Sequence, residues 1–271
     1  MMVADSWGGL VERRLVKVRA GARGSGWAVG TRGVLTARHV VSPFLNKEAG
    51  SCLAVPSPAP GAPVFDCVVI WQDVARDLAL LAVGQVQAAA WALAVGPGLG
   101  PPLAEPGTSG LPTGVVGYPD ATMEQGFPHP ELVLGWLKPA GGAVSGLMPF
   151  DVDGSVPDSS LLWQGMSGAA VRDRPHGRLM GVVVKVDQDR QQRRLYVAAL
   201  PDPAVDPGFA TALTEVGAKP VLEAANAPAV RRLLGEWDEC GRPPVVGKVA
   251  ELDVFGVRRA RTDILTRGDP Y

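Results

Sequence analysis

Apolar residues in this chain fall mostly in short runs or alternate with polar ones, and helical spacing is concentrated towards the C-terminal end. In residues 10–19, Lys17 and Arg19 interleave with Val16 and Val18, the two-residue period of a half-buried strand. Residues 24–30 and 33–36 read as a hairpin whose turn, Thr31 and Arg32, is bounded by glycines. Further strands are predicted at 52–55, 65–72 and 78–83, with a proline-rich loop at 56–63. An alanine-rich run at 86–94 has the length of a short helix, and the Gly/Pro-rich residues 96–113 read as a linker. Short apolar strands resume at 114–119, 132–137, 143–147, 169–172, 179–186 and 194–200. Between them, Asp151, Val152, Asp153 and Gly154 begin like a calcium loop, but no Glu stands at the twelfth position, so a solvated turn is predicted.

Two groups of short strands across a Gly/Pro linker predict an all-β fold of two packed β-barrels, residues 10–95 and 114–200. From 201 to 271 the pattern changes to a partly helical extension. Residues 209–216 and 227–237 have helical spacing, as in Val230, Leu233, Leu234 and Trp237, and 249–257 is a last strand candidate before an arginine-rich end.

Composition narrows the class of function. The net charge of −1 and 46% hydrophobic content carry neither the basic excess of a nucleic-acid binder nor an acidic tail. No stretch reaches the roughly 20 apolar residues of a membrane span, and residues 1–14 lack the apolar run of a signal peptide. The three cysteines, Cys52, Cys67 and Cys240, fit no zinc-ligand spacing and are read as free thiols in a cytoplasmic, reducing setting. No metal or other cofactor is expected.

Chemistry concentrates in the stretch Trp163-Gln164-Gly165-Met166-Ser167-Gly168-Ala169-Ala170-Val171. Glycines on both sides let the backbone turn tightly around Ser167, expose its hydroxyl and leave nearby N–H groups for a substrate oxygen. A base and an orienting acid stand upstream, His39 in T-A-R-H-V-V and Asp77 in R-D-L-A-L-L. Asp73 is a local competitor for the acid, but it follows Trp71-Gln72 at a strand end. His129 and His176 sit in turn contexts and read as surface residues. The α/β-hydrolase elbow is excluded because Ala169 occupies its last glycine position and the order His, Asp, Ser is the wrong one.

With G-S-G-W-A-V and T-A-R-H-V-V, then D-L-A-L-L, then G-M-S-G-A-A-V, residues from about 15 to about 200 resemble a trypsin-like serine peptidase domain of the simple bacterial, disulfide-free type. The resemblance implies a chymotrypsin-like fold of two six-stranded antiparallel barrels, with His39 and Asp77 from the first and Ser167 from the second meeting in the cleft between them. It implies that His39 takes the Ser167 proton, that Asp77 orients the imidazole, and that the N–H groups of Gly165 and Ser167 form the oxyanion hole. The primary pocket's base in this family lies six positions before the serine, here Leu161, and a leucine there implies an apolar or small residue before the scissile bond. Gln164 and the strand residues Val184, Lys185 and Val186 complete the substrate-binding candidates, the strand by adding an extended peptide to its edge. Lys185 by itself reads as a solvated strand residue.

Two departures stand out. Enzymes of the family activated by N-terminal insertion carry Asp before the serine, where this chain has Met166, so that activation is not expected and ordering of the oxyanion loop is assigned to a partner touching the C-terminal extension. Gly168-Ala169-Ala170 replaces the family's G-G-P. Similar modules occur fused to, or encoded beside, signalling ATPases and conflict-system sensors, which implies a regulatory protein partner. The reading is a serine endopeptidase acting on a protein substrate. Its alternative is a catalytically silent peptide-binding module on the same fold.

Overall fold

The computed structural model describes residues 13–224 apart from 49, 57–60, 97–101, 107–109, 120–121, 125–126, 140–145, 154–162, 175–176 and 188–192. The first group of strands is β1 (Leu15–Arg19), β2 (Arg23–Val29), β3 (Gly33–Ala37), β4 (Leu53–Val55), β5 (Phe65–Asp73) and β6 (Leu78–Val83). They close as an antiparallel barrel in the order β1-β2-β3-β6-β5-β4. A helix, α1 (Arg38–Leu45), follows β3 directly, and α2 (Ala88–Val95) follows β6 after a single 3-10 turn.

The strands that follow are β7 (Leu103–Glu105), β8 (Leu111–Gly117), the short pair β9 (Met123–Glu124) and β10 (Phe127–Pro128), β11 (Glu131–Leu137), β12 (Leu147–Val152), β13 (Ala170–Asp173), β14 (Leu179–Val186) and β15 (Arg194–Ala199). Six of them form a second closed circuit, β8-β11-β12-β15-β14-β13, because β13 pairs with both β14 and β8. Every pairing in that circuit is antiparallel. The fold is all-β with two six-stranded barrels.

Strand periodicity explains how the barrels pack. In β13, β14 and β15 one set of side chains, Val171, Met180, Val183, Leu195 and Val197, fills the second barrel. The other set, Ala170, Leu179, Val182, Val184 and Ala198, joins the first barrel's core, the two faces of β14 exchanging at the register shift beside Met180. A strand buried on both faces needs an uninterrupted apolar run, which is the composition of β14 from Leu179 to Val184, Leu-Met-Gly-Val-Val-Val, before the exposed Lys185. Arg172 adds a cation–π contact across the seam, 4.8 Å from the ring centroid of Trp27.

Residues expected as turn or tail take structural roles. Asp151 and Val152 lie in β12 and not in a solvated turn, because Asp151 pairs with Lys138 and with Arg194 (2.6 Å) beside it on the sheet. Burial alone would raise the Asp151 carboxyl, but hydrogen bonds from Arg194 and Lys138 and their charges hold it below the usual carboxylate range. The stretch 96–113, read as a linker, carries β7 and the start of β8.

Beyond the second barrel, α3 (Pro207–Glu215) starts where the Asp206 side chain accepts the Phe209 N–H at 2.8 Å, with proline in its first turn. Phe209 is fully buried with its ring centroid 4.7 Å from that of Trp71 on β5. The Val216 carbonyl accepts the N–H groups of Thr31 (2.8 Å) and Arg32 (3.3 Å) in the β2–β3 turn. β16 (Leu222–Ala224) then runs parallel to β7. Residues 201–224 therefore pack on the barrels. The helix and strand candidates at 227–237 and 249–257 lie outside the described residues.

Cys52 and Cys67 are buried free thiols on neighbouring chain segments, joined by a Cys67 N–H bond to the Cys52 carbonyl at 2.9 Å. Burial pushes the Cys52 thiol up to about 11 and that of Cys67 higher still, the latter also raised by the charges of Cys52 and Asp66. At pH 8 about one Cys52 in a thousand is then thiolate, so a maleimide is expected to spare both in the native protein and to label both in denaturant. Rapid native labelling, or a mass lower by two hydrogens, would contradict this. Cys240 lies outside the described residues.

Candidate active site

His39 is the second residue of α1, placed there by the direct passage of β3 into the helix. Asp77 ends the turn between β5 and β6, next to Leu78, which pairs with Ala37 on β3. The sheet register thus delivers both residues to one corner of the first barrel. Two contacts join them, and a third ties Asp77 to Arg38. Asp77 Oδ2 lies 2.5 Å from His39 Nδ1, Oδ1 accepts the His39 backbone N–H at 2.8 Å, and the Asp77 carbonyl accepts the Arg38 N–H at 2.8 Å. With a carboxylate this close, Nδ1 carries the ring proton and Nε2 presents its lone pair. The His39 side chain is 45% exposed, open to solvent and to a substrate.

Asp77 holds this position at φ +58, in the left-handed region that Asp tolerates better than most residues and that concentrates at functional sites. The competitor Asp73 is engaged elsewhere. It accepts the Arg76 N–H at 2.9 Å and the Arg76 guanidinium at 2.6 Å. Burial would raise its carboxyl, but these hydrogen bonds and the Arg76 charge pull it below the usual carboxylate range.

Ser167 arrives from the second barrel in the loop before β13, half-buried. Its carbonyl accepts the Ser25 N–H of β2 at 2.8 Å. Gly24 lies between this loop and α1: a Cβ there would stand 2.8 Å from the Ser167 carbonyl and 2.6 Å from Val40, the residue after His39. The Ser167 loop and the helix bearing His39 therefore approach, from two sides, a position with no room for a Cβ. Gly168, at φ +85, turns the chain into β13 where any Cβ would strike the Ser25 carbonyl and the Thr36 hydroxyl.

The proposed oxyanion donors lie in the same loop. Gly165 has φ +91, and Met166, fully buried, donates its N–H to the Trp163 carbonyl at 3.0 Å. Among the described residues, no acceptor takes the N–H of Gly165 or of Ser167. Such free amides on a tight loop are what a developing oxyanion requires.

The substrate-binding candidates divide. Gln164 is exposed beside the loop. β14 pairs with β15 along one side, and on the other meets the Ser167 loop, where Val183 exchanges bonds with Gly168 (2.7 Å) and Ala169 (2.9 Å). Past that point Val184, Lys185 and Val186 have no strand beside them on that side among the described residues. Lys185 points outward, its ammonium 5.9 Å from the Tyr196 ring centroid, while Val184 is buried and Val186 half-buried. Leu161 lies outside the described residues. His129 is exposed in the loop before β11, and His176 lies outside the described residues.

Sequence reasoning assigned no role to Ser25, although the structure puts it against the loop of Gly165 and Ser167. Its flanking glycines, Gly24 and Gly26, were the available signal, because a glycine inside a strand marks a close backbone approach.

A model of the family described as the trypsin-like peptidase domain matches residues 24–182. No curated protein matches the sequence. Among solved structures, the inactive form of the M. tuberculosis protease Rv3671c has a TM-score of 0.51 at 22% identity, covering 80% of this chain and 96% of that one. Deg5 gives 0.51 at 16% identity over 79% of this chain and 95% of its own. The serine endoprotease from Yersinia pestis gives 0.50 at 17% identity, covering 76% of this chain and 66% of the other. At these identities the likeness is one of fold.

Proposed function

The chain belongs to the trypsin-like peptidase domain family, and from that premise we propose that it is a serine endopeptidase that cleaves a protein substrate through an acyl-enzyme on Ser167. The observation that carries the reading is the two-point grip of Asp77 on His39, ring and backbone together, which leaves Nε2 as the basic nitrogen. Ser167 Oγ attacks the scissile carbonyl as its proton passes to Nε2, and Asp77 stabilises the imidazolium so formed. The N–H groups of Gly165 and Ser167 receive the oxyanion, each donor lowering the barrier by about 3 kcal/mol. As the tetrahedral intermediate collapses, the C–N bond breaks and the leaving amine takes the proton from Nε2. Water then enters by the same route in reverse roles, giving up a proton to Nε2 and releasing the acid and free Ser167.

The substrate lies extended along Val184, Lys185 and Val186, completing the open side of β14. If Leu161 forms the pocket base, as the family resemblance implies, it disfavours a cation, since an unpaired buried charge costs several kcal/mol. A peptide library is therefore expected to show cleavage after apolar or small residues and little after Lys or Arg. Dominant cleavage after basic residues would overturn the pocket assignment. A cytoplasmic setting belongs to the same proposal, supported by the neighbouring free thiols of Cys52 and Cys67, as does a regulatory partner engaging the C-terminal extension.

The test of the activity is covalent labelling by a fluorophosphonate, which reacts only with an activated serine. Wild type is expected to label and Ser167→Ala is not. A folded wild type that binds extended peptides but refuses the probe would instead be a silent binding module.

A further inference from the structure

Met166 takes away the ion pair that orders the oxyanion loop in cleavage-activated members of the resembled family, and some other contact must hold Gly165 in place. That need is acute, because glycine at 165 accepts positive and negative φ alike and so permits the neighbouring peptides to rotate. The contact is in the core. Ser25, fully buried on β2, accepts the Tyr118 N–H at 2.9 Å, and its hydroxyl donates to the Gly165 carbonyl at 2.7 Å. Its own backbone N–H donates to the Ser167 carbonyl at 2.8 Å. The two residues whose amides face the oxyanion are thus both tied, through their carbonyls, to one residue of the opposite barrel.

Ser25 is itself immobile. Its backbone is paired with Lys17 on β1, and its carbonyl accepts the Thr36 hydroxyl at 2.7 Å. Because Tyr118 occupies an oxygen lone pair, the hydroxyl proton is directed to Gly165. On the other side of the loop the buried Met166 sulfur packs at Gly117, 2.6 Å from where a Cβ would stand. We propose that the Ser25 hydroxyl is the positioning group of the oxyanion loop, which orders the loop without cleavage at the N-terminus. This rests on the serine peptidase reading above.

The experiment compares Ser25→Ala with wild type on a chromogenic peptide anilide bearing an apolar residue before the cleaved bond, together with the aldehyde of the same peptide, whose hemiacetal oxygen occupies the oxyanion site. Losing the anchor is expected to lower kcat by about 100-fold while KM stays within about twofold, as a small misplacement at a reacting centre does. Aldehyde affinity is expected to fall in parallel with kcat, and phosphonylation of Ser167 to slow. Thr113→Val removes another buried hydroxyl, bonded to the Leu111 carbonyl at 2.8 Å, and serves as the stability-matched control with unchanged kcat. If Ser25→Ala lowers the melting temperature yet keeps wild-type kcat and aldehyde affinity well below it, the hydroxyl is structural only and the proposal is wrong. Should the alanine variant fail to fold, Ser25→Gly removes the hydroxyl and adds no volume, and wild-type kcat there would equally overturn it. A wild type that does not label with fluorophosphonate defeats the peptidase reading itself, a result distinct from either.

Discussion

Ser167→Ala and His39→Ala are each expected to abolish peptide hydrolysis to the same extent, and the double variant to be no worse than either. The reason is that the nucleophile and its base act as one unit: an imidazole without a hydroxyl to deprotonate is idle, and so is a hydroxyl without a base. Losses in such units run to about 10^4 to 10^6 in kcat, and what remains comes from the oxyanion hole and binding alone. Asp77→Asn extends the test. Asn tolerates the left-handed backbone at φ +58, so the fold should survive. Its amide, however, can present a donor to Nδ1 and favour the wrong tautomer, with an expected loss of about 10^4 in kcat. Asp73→Asn weakens the pair with the half-exposed Arg76 but keeps an oxygen to accept the Arg76 N–H, and, having no contact with His39, should leave turnover within about threefold. Steady-state kinetics on the four single variants decide the matter. A damaging Asp73→Asn beside a tolerated Asp77→Asn would sink the acid assignment.

Ending the chain at Leu200 is expected to cost most of the fold's stability. Phe209, Leu213 and Val216 are buried against the first barrel, with Ala212 beside them. At about 2 kcal/mol for each large buried side chain, the three contribute about 6 kcal/mol, a major part of a typical 5–15 kcal/mol total. The truncation also uncovers Trp71 and removes the carbonyl that fastens the β2–β3 turn. Scaled by unfolding entropy, the melting temperature should fall by about 15 °C or more. A chain ending at Ala224 keeps every contact described for α3 and β16 and should melt close to the full chain. Equal melting for the chain ending at Leu200 would mean that α3 contributes nothing to the first barrel.

Several features of the fold are legible in the amino-acid sequence. β5, β6 and β14 stop where their apolar patterns end, at Asp73, at Val83 before Gly84 and at Val186 before Asp187, residue types that favour turns over a ladder. The motifs around His39 and Asp77 stand out by residue type, and the register of β3 with β6 brings those two residues together. Other features are not legible there. The helical spacing of 209–216 is visible, but nothing in it says which surface Phe209 covers. That partner, Trp71, is distant in sequence and is met only because β5 presents it on the outside of the barrel. Asp151 has the local chemistry of a turn residue, and cross-strand cations on β15 and beside β11 make it a strand residue instead.

The strand-rich class, the division into two groups of strands, and the three side-chain types with their order follow from the residues alone, since these depend on local period and on chemistry carried by single side chains. Which carboxylate reaches His39 does not follow from them, because Asp73 and Asp77 differ by one turn of chain and only the closed barrel sends one to Arg76 and the other to the imidazole. The role of Ser25 is likewise a product of the assembled fold, as its hydrogen bonds to Gly165 and Tyr118 join residues about 90 to 140 positions apart. Hydrogen bonds over such separations exist only after both barrels have closed and docked, when the buried hydroxyl has lost water and must find its partners in the loop it holds.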